Sequence, residues 1–396
     1  MIQHKHIVAV GHDLAIASFL KWFRAVNIRT RLTLVTDSKV VGVPRYFLPY
    51  IAAGLYREDG VPHMPLSYVE TVLATHVIKC DPASLRIGTE KVVARNTALH
   101  FDALVVSTGT KPDPRFSRWV SASAVTLKDA LVARETIENW EGEVFIFGGF
   151  EGLGAVDALE QAGLQPVLCA DSDPFSEVFD EDVAAVARRL IKPLSIHVPG
   201  EPPRNQGLAF GFEVPALPTG LELPRDLQDF KVSSNVYVLG SIAKIRTELG
   251  VLTAFSDECA YKEGLVLALR LNGLSLKLPP PCRVVSVRGY ILCACGLTVS
   301  KASKKGISTS SVKLTLKACE GVSGVLKITA SRSPPRLLGF QCVAPKSEYS
   351  NVTLLYSLLA LGITPDNLYL VPQFLGGDDI PAVKAIEALW RKLASK

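Results

Sequence analysis

The chain has 396 residues, of which 48% are hydrophobic and 20% are charged, as is typical of a folded protein of two or three domains. Its net charge of +5 comes from 43 basic and 38 acidic residues that cluster only weakly, so we expect no nucleic-acid partner. Apolar runs such as Val352–Ile363 are shorter than the roughly 20 residues of a membrane-spanning helix. No signal-peptide pattern precedes the first predicted strand. We therefore expect a cytoplasmic protein without a membrane span.

The first predicted unit is a strand, a turn, a helix and a second strand. His6–Val10 is apolar and ends at Gly11, Leu14–Ala25 is amphipathic, and Arg31–Thr36 is again apolar and rich in β-branched residues. This order is typical of one half of a dinucleotide-binding domain.

A second unit of the same kind follows later in the chain. Glu143–Phe147 predicts a strand, Gly148–Gly152 a turn, Leu153–Ala162 a helix that ends at Gly163, and Pro166–Ala170 the next strand. Alternating strands and helices favour an α/β fold with parallel sheets. Two dinucleotide-binding units in one chain indicate two nucleotides that exchange electrons.

The remainder of the chain has a different pattern. Glu201–Pro224 is rich in Pro and Gly and predicts a loop, and the prolines 279–281 mark a break. After this break, short β-like segments precede a helix, which predicts a separate α+β domain. These segments are Val284–Val287, Val312–Lys317, Val325–Thr329, Leu337–Val343 and the helix Tyr349–Leu361.

Among the eight cysteines, only Cys293 and Cys295 lie close together in the sequence. Redox pairs usually have two residues between their cysteines, and metal sites usually show two such pairs. In a strand both side chains would point to one face. The pattern favours two small buried apolar residues, with a redox role as the alternative.

Six further segments follow one another over nearly the whole chain in a recognisable order. They are Leu48–Gly54, Phe101–Pro112, Phe179–Asp182, Asn235–Gly240, Gly296–Ala302 and Leu337–Gln341. Together they resemble the pyridine nucleotide-disulfide oxidoreductases, in the branch of the NADH oxidases and coenzyme A-disulfide reductases. The resemblance implies an α/β fold class with two Rossmann-like nucleotide-binding domains, of FAD- and NAD(P)-binding type, plus a C-terminal α+β dimerisation-like domain.

The resemblance also implies domain bounds and partners. Residues 1–114 and 231–278 would form the FAD-binding-type domain, residues 115–230 a shortened NAD(P)-binding-type domain, and residues 279–396 the C-terminal domain. The family carries a Tyr or His here that reaches the partner subunit's flavin, and Leu370 takes that position, beside Tyr369. The apolar segment Tyr349–Leu361 favours a homodimer or hetero-oligomer formed through this domain.

In this resemblance the first glycine turn departs from the family's G-x-G-x-x-G pattern. It reads Gly11-His12-Asp13-Leu14-Ala15-Ile16, so that Asp13 takes the place of the second Gly and Ile16 that of the third. A carboxylate beside two phosphates is repulsive. The alternatives for Asp13 are a helix N-cap, which we favour, and a catalytic role.

The other FAD-site positions are only partly preserved. Ser241 stands where the family has an Asp that binds the flavin's ribityl chain, which weakens the expected hydrogen bond. We therefore expect FAD to bind weakly or to have been lost. The resemblance assigns this site to Gly11, His12, Asp37, Arg45, Val77, Thr108, Gly109, Gly240 and Ser241.

Tyr46 occupies the position of the family's redox cysteine. A phenol neither attacks disulfides nor forms a sulfenic acid, so we expect no catalytic residue of the family's kind and no disulfide chemistry. Tyr46 is then either an ordinary packing residue, which we favour, or stacks on a flavin. No metal site is expected.

The second nucleotide site would lie at Gly148, Gly149, Gly152 and Asp171. Asp171 ends a strand where it could bind a ribose 2′-hydroxyl, which would favour NAD over NADP, or it is a turn residue. Gly154 stands where the family has a Glu that positions the nicotinamide, so NAD(P)H binding is in question.

Two functions remain open from the sequence. One is an oxidoreductase that transfers a hydride from NAD(P)H through FAD to an unknown acceptor other than a disulfide. The other is a degenerate, non-catalytic relative that acts as a scaffold or regulatory subunit of an oxidoreductase complex. The changes at Asp13, Tyr46, Gly154 and Ser241 distinguish the two.

Overall fold

The computed structural model describes residues 4–191, 195–197, 206–224, 227–252, 256–278, 280–317, 323–364 and 381–394. The first third of the chain contains β1 (His6–Gly11), α1 (Leu14–Val26), β2 (Arg31–Thr36), β3 (Val40–Val41), α2 (Leu48–Ala52), β4 (Met64–Pro65), α3 (Leu66–Thr71), β5 (Thr75–Lys79), β6 (Arg86–Ile87), β7 (Lys91–Ala94), β8 (Thr97–His100), β9 (Ala103–Ser107) and β10 (Thr110–Pro112).

The middle of the chain contains β11 (Ala122–Ser123), α4 (Leu127–Ile137), β12 (Glu143–Phe147), α5 (Val156–Gln161), β13 (Gln165–Cys169), α6 (Pro174–Val178), α7 (Glu181–Leu190), β14 (Ser195–His197), β15 (Gly207–Ala209), β16 (Glu213–Pro215), β17 (Val236–Val238), β18 (Ile245–Thr247), β19 (Gly250–Leu252) and α8 (Asp257–Leu271). The last part contains β20 (Cys282–Val287), β21 (Tyr290–Gly296), α9 (Val299–Lys304), β22 (Thr309–Lys317), β23 (Ser323–Arg332), β24 (Pro335–Pro345), α10 (Tyr349–Leu361) and α11 (Pro381–Ala394).

A parallel sheet of order β17-β9-β1-β2-β5 forms the first α/β unit. Its central strand β1 is apolar at nearly every position, and Ile7 to Val10 are fully buried, because helices and loops cover both faces of such a sheet. Helix α1 packs against α8, and a Cβ at Gly264 of α8 would overlap the carbonyl oxygen of Ala15. Residues 236–271 therefore complete a unit that residues 6–107 begin.

The second parallel sheet has the order β11-β15-β12-β13-β14. Its strand β15 lies within Glu201–Pro224, for which the sequence predicted a loop, so that prediction was wrong for Gly207–Ala209. Three residues are too few to show a strand's period of two. The helix predicted over Leu153–Ala162 is shorter than expected, since Glu151–Ala155 is a 3-10 turn and α5 begins only at Val156.

The C-terminal sheet is antiparallel, with the order β20-β21-β24-β23-β22. The two faces of this sheet pack in different hydrophobic cores, because successive side chains of a strand point to opposite faces. On β21, Ile291, Cys293 and Cys295 join the core that contains α10 and α11, whereas Leu292 joins the core of the second sheet. The sheet thus packs directly on the second α/β unit.

The predicted fold class is confirmed: two parallel α/β units are followed by an α+β part. The strands Arg31–Thr36 and Glu143–Phe147 and the helix Tyr349–Leu361 have the predicted bounds. The segment of Tyr369 and Leu370 lies outside the described residues. Across the part of the chain that the structure describes, no helix is both long and apolar enough to cross a membrane.

Candidate functional site

The first glycine turn lies where β1, β9 and β17 end. Gly11 has a φ of +126°, and a Cβ there would overlap the carbonyl oxygen of Ser107 on β9. Gly240 follows β17 with a φ of +70°, and a Cβ there would overlap both the Ser107 hydroxyl and a carboxyl oxygen of Asp13. Only glycine fits at these two positions, because the chain segments approach so closely and a positive φ disfavours other residues.

Asp13 is the N-cap residue of α1. Its Oδ1 accepts a hydrogen bond of 3.0 Å from the backbone N–H of Ile16, which fills the helix N-terminus that a phosphate would otherwise use. Its Oδ2 makes a short contact with the Ser107 hydroxyl. That hydroxyl also lies 2.9 Å from the carbonyl oxygen of Leu239, to which it donates.

These contacts indicate the protonation state of Asp13. A serine hydroxyl has one proton, so it cannot donate to the Asp13 carboxyl group and to the Leu239 carbonyl together. A protonated Asp13 would donate to Ser107 and satisfy all three groups. Burial likewise raises the pKa of Asp13, against the opposing effect of its hydrogen bonds with Ser107 and Ile16.

A second buried carboxyl group faces the same turn. Glu263 of α8 has no exposed surface, and its Oε2 accepts a hydrogen bond of 2.8 Å from the backbone N–H of Gly240. Its Oε1 is buried and has no hydrogen-bond partner among the described residues. Burial raises the pKa of Glu263 well above its ordinary value, and the nearby charge of Asp13 raises it further. Two acidic groups therefore flank Gly240.

The space left beside this acidic pair is small. The cavity has a volume of about 70 Å³ and is lined by His12, Asp13, Thr108, Gly109 and Ser241, among others. Sites for drug-sized ligands usually have volumes of about 300–1,000 Å³, and FAD is larger than such ligands. The residues present therefore do not fit FAD in this arrangement, because the cavity is too small and the pyrophosphate would meet the Asp13 carboxyl group.

Other residues that the resemblance assigned to this site lie around the same turn. The Nδ1 of His12 is 3.8 Å from a carboxylate oxygen of Asp37, and the Nζ of Lys128 is 3.7 Å from the other oxygen. The Thr108 hydroxyl donates to the carbonyl oxygen of Ala216 at 2.5 Å. Gly109 has a φ of +70°. Val77 is half-buried on β5, next to β2.

Arg45 forms a buried ion pair with Glu213. Its Nη1 donates to the Glu213 Oε2 at 2.8 Å, and its Nη2 makes a shorter bond to Oε1. The guanidinium carbon lies 4.8 Å from the centre of the Phe210 ring. Burial alone would lower the pKa of Arg45, but Glu213 outweighs it and the pKa is raised. Arg45 is thus committed to a carboxylate of its own chain.

Tyr46 belongs to an aromatic cluster on the loop before α2. Its hydroxyl is 3.2 Å from that of Tyr50, and its ring centre is 5.3 Å from those of Tyr50 and Phe47. Asp257 accepts from the backbone N–H groups of Arg45 at 2.7 Å and Tyr46 at 3.2 Å. Burial raises the pKa of Asp257 to about 6, although these two bonds oppose the shift.

The second glycine turn is as tightly packed as the first. A Cβ at Gly148 would overlap the carbonyl oxygen of Phe210, one at Gly149 would lie 3.0 Å from a Glu177 carboxyl oxygen, and one at Gly152 would lie 2.7 Å from Leu168. The turn contains Glu151, which is 7% exposed and opens the 3-10 turn before α5. A carboxylate therefore stands at the start of this helix too.

Glu151 is neutralised from the C-terminal sheet. Arg283 of β20 donates to its two oxygens at 2.7 and 2.6 Å and to Glu177 at 2.7 Å. Burial alone would lower the pKa of Arg283, but Glu151 and Glu177 outweigh it and the pKa is raised. Asp171 is exposed after β13, at the far side of the turn.

A cavity of about 400 Å³ lies between the two α/β units and the C-terminal sheet. Its lining includes Tyr46, Phe47, Gly154, Phe210, Ile291 and Tyr349. A small molecule would fit this volume. Gly154 faces the edge of the Phe210 ring, from which a Cβ would be 3.4 Å away.

Comparison with known proteins gives a match of folds. The sequence matches no protein-family model, and no curated protein matches it. The structure is similar to the NAD-dependent persulfide reductase from A. fulgidus, with a TM-score of 0.78, 16% identity and coverage of 98% of this chain and 84% of that one. It is also similar to Bacillus anthracis CoADR-RHD, with a TM-score of 0.82, 14% identity and coverage of 99% and 81%.

A third similar structure is the water-forming NADH oxidase from Lactobacillus brevis bound to NADH, with a TM-score of 0.74, 14% identity and coverage of 99% of both chains. The chain has the fold of the pyridine nucleotide-disulfide oxidoreductases. The resemblance read from the six sequence segments is thereby confirmed for the fold. At these identities, the similarity to pyridine nucleotide-disulfide oxidoreductases shows the fold alone.

The sequence analysis did not identify three charged residues that form hydrogen bonds or ion pairs at the candidate site. Glu263 and Glu213 bind the predicted site residues Gly240 and Arg45, and Arg283 binds Glu151, which lies within the predicted second turn. A signal existed for Glu263, since it lies four residues after Cys259 and four before Leu267 on the buried face of α8. An acid on such a face points to a site worth testing.

Proposed function

We propose that this chain is a non-catalytic relative of the pyridine nucleotide-disulfide oxidoreductases, which keeps their fold as a scaffold or regulatory subunit of an oxidoreductase complex. One observation carries the proposal. Each of the two nucleotide turns contains a carboxyl group that is already satisfied inside the protein: the half-buried Asp13 by Ile16 and Ser107, and the buried Glu151 by Arg283. Phosphate groups would have to displace these contacts in both units.

Electrostatics gives the size of the effect at the first turn. When Asp13 is ionised, a phosphate charge about 4 Å from it would be repelled by roughly 1–4 kcal/mol at dielectrics between those of water and a protein surface. This corresponds to a loss of FAD affinity of about tenfold to several hundredfold. If Asp13 stays protonated, its carboxyl group still occupies the N-terminus of α1, where a phosphate would bind.

The alternative is an oxidoreductase that passes a hydride from NAD(P)H through FAD to an acceptor other than a disulfide. The cavity of about 400 Å³ beside Tyr46 favours it, because that cavity is large enough for a small molecule and is lined by Glu151 of the second turn. In this case Asp171 would favour NAD over NADP. The test below separates the two functions.

The first prediction concerns FAD. We expect freshly purified protein to lack a flavin absorption spectrum, and FAD titration followed by fluorescence to show weak binding. The double variant Asp13→Gly with Glu263→Gln should bind FAD at least about tenfold more tightly, since it removes both acidic groups. Asp59→Asn is the matched control, because it removes a carboxylate from the exposed surface. Yellow protein with one FAD per chain would overturn the proposal.

We further propose the domain bounds that the resemblance implied, at residues 1–114 with 231–278, 115–230 and 279–396. The three separate five-stranded sheets among the described residues support this division. We also propose that the C-terminal part forms the contact with a second copy or a partner subunit, and that the protein acts in the cytoplasm.

A further inference from the structure

Three cysteine sulfurs meet inside the C-terminal sheet. Cys282 of β20 and Cys295 of β21 form a disulfide. The Sγ of Cys293 lies 3.8 Å from that of Cys282 and 3.5 Å from that of Cys295. The interpretation of Cys293 and Cys295 as two small buried residues is right about their burial, but it missed the disulfide of Cys295.

Strand geometry brings the three sulfurs together. Cys282 and Cys295 are direct partners in the antiparallel register of β20 and β21. Cys293 is two residues from Cys295, so both side chains point to the same face of β21. All three residues are at most 4% exposed. This cluster of Cys282, Cys293 and Cys295 is hereafter the cysteine trio.

The donor set of the cysteine trio is unusual for a buried core. Among the described residues, the cysteine trio is the group of at least three His, Cys, Asp or Glu side chains that could hold one metal ion. Its three ligand atoms lie within 4.8 Å of one another. It offers sulfur alone. Thiolate ligands select soft ions such as Cu⁺ and Zn²⁺, and structural Zn²⁺ sites almost always have four ligands.

We propose that the cysteine trio, when its disulfide is reduced, binds one Cu⁺ ion through three sulfur atoms. Three ligands suit Cu⁺, which accepts low coordination numbers, better than Zn²⁺. The site lies in an apolar core, which keeps water from the remaining positions. The ion and the Cys282–Cys295 bond exclude each other, so copper binding would depend on the redox state of this bond.

The reaction is balanced by a dithiol reductant. A small dithiol gives two electrons and two protons, the bond between Cys282 and Cys295 breaks to two thiols, and the reductant leaves as its own disulfide. Binding of Cu⁺ then displaces protons from the coordinating thiols into solvent.

The position of Cys282 gives a route into the site. It is the first residue of β20, which is an edge strand of the sheet and follows Pro281. An edge strand has a neighbour on one side only, so it can separate from the sheet at a lower cost than an inner strand. Cys259 of α8 donates to the carbonyl oxygen of Cys282 at 3.4 Å, and this contact links the site to the first unit.

The second prediction tests this site with the full-length protein. Protein reduced with dithiothreitol and then freed of it should take up one Cu⁺ per chain in competition with a chromophoric Cu⁺ chelator. The oxidised protein should take up none. The Cys293→Ala variant should bind Cu⁺ more weakly, because it lacks one of the three ligands. Its loss of Cu⁺ affinity should exceed the about 10–100-fold that removal of an outer-shell partner typically costs. The variant should still form the Cys282–Cys295 disulfide, as counted by thiol titration.

Cys80→Ala is the matched control, since Cys80 is also buried but contacts Ser84 in the first unit. Circular dichroism confirms that each variant is folded. Equal Cu⁺ binding by Cys293→Ala and Cys80→Ala would overturn the proposal. Tighter binding of Zn²⁺ than of Cu⁺ by the reduced protein, measured with the two ions in direct competition, would also overturn it.

Discussion

Glu263, which is buried, and Asp13, which is half-buried, both lie against Gly240 at the end of a parallel sheet. Neither has a cation among the contacts described for it, and each is held by a backbone N–H group, from Gly240 and Ile16. A charge in this position loses its hydration without gaining a partner. The pKa of each group is therefore raised in the folded protein.

The third prediction is a pH dependence of stability. In the unfolded chain Glu263 has its ordinary pKa, and in the folded protein its pKa is raised. Its contribution to stability is therefore complete below the ordinary range and is lost as pH rises through the raised value. Glu263→Gln keeps an oxygen for the Gly240 N–H group and cannot ionise. We expect it to stabilise the protein at pH 8, by about 1 kcal/mol or more, with no gain at pH 4.

The measurement is urea unfolding at a series of pH values, with Glu58→Gln as the control because Glu58 is exposed. Parallel stability curves for the Glu263→Gln variant and the unmodified protein would contradict this account of the buried acid.

Some of these residue roles could be predicted from the sequence and others could not. The N-cap role of Asp13 could be predicted because its partner Ile16 is only three residues away in the sequence. Glu263 binds Gly240, and Arg283 binds Glu151 from another domain. A charged residue in the sequence does not reveal such a distant partner, since local pattern fixes only neighbours along the chain.

Helices α1 and α8 are the elements whose packing most directly shapes the first nucleotide turn. Gly264 allows the close approach, because a Cβ there would overlap the carbonyl oxygen of Ala15 and lie 2.7 Å from the backbone nitrogen of Phe19. Helix propensity alone would favour Ala over Gly by about 1 kcal/mol. The close packing of α8 against α1 therefore outweighs the helix propensity of Ala at position 264.

The fourth prediction is that Gly264→Ala destabilises the protein, by about 1–3 kcal/mol net, since backbone atoms of α1 cannot give way as a side chain would. Gly60→Ala is the matched control, because a Cβ at Gly60 meets nothing within 4 Å; its effect should stay within about 0.5 kcal/mol. Thermal unfolding followed by circular dichroism measures both. A stabilising Gly264→Ala would show that the helices do not pack as described.

Element prediction from the sequence succeeded where a pattern was long and failed where it was short. The 13 residues of Tyr349–Leu361 and the six of Arg31–Thr36 gave correct bounds. Gly207–Ala209 and Glu213–Pro215 were assigned to a loop, because their strand structure depends on pairing with β12 and β10 rather than on their own sequence.

At the scale of the whole molecule, Arg283 holds the C-terminal sheet against the second unit. The side chain of Arg283 is 24% exposed. It pairs with the side chain of Glu151, which is 9% exposed, and with the more exposed Glu177. A pair this buried matters most when one partner is removed, because the other charge is then left without compensation.

The fifth prediction is that Arg283→Met destabilises the protein by about 3–5 kcal/mol, and that adding Glu151→Gln recovers most of this loss. Arg336→Met is the matched control: it breaks an exposed pair with Glu248, which should cost about 0–1 kcal/mol. Urea unfolding and limited proteolysis near residue 280 are the measurements. Equal effects of the two arginine variants would mean that Arg283 does not hold the two parts together.

The fold class was predicted from the resemblance of six short segments, and the comparison with solved structures confirms it. What fills the space between the parts could not be predicted in this way. The Arg45–Glu213 pair and the cavity beside Tyr46 depend on how loops from different units meet.

The return of the chain to its first sheet has a consequence during synthesis on the ribosome. Val238 of β17 is the register partner of Val106 on β9, about 130 positions earlier, and at about 5–20 residues per second the ribosome needs about 6–26 s to make that stretch. Until then β9 has an open edge, and the face of α1 that α8 covers is exposed. The nascent N-terminal segment must therefore remain unaggregated while the second unit is made, which makes it a natural client for chaperones.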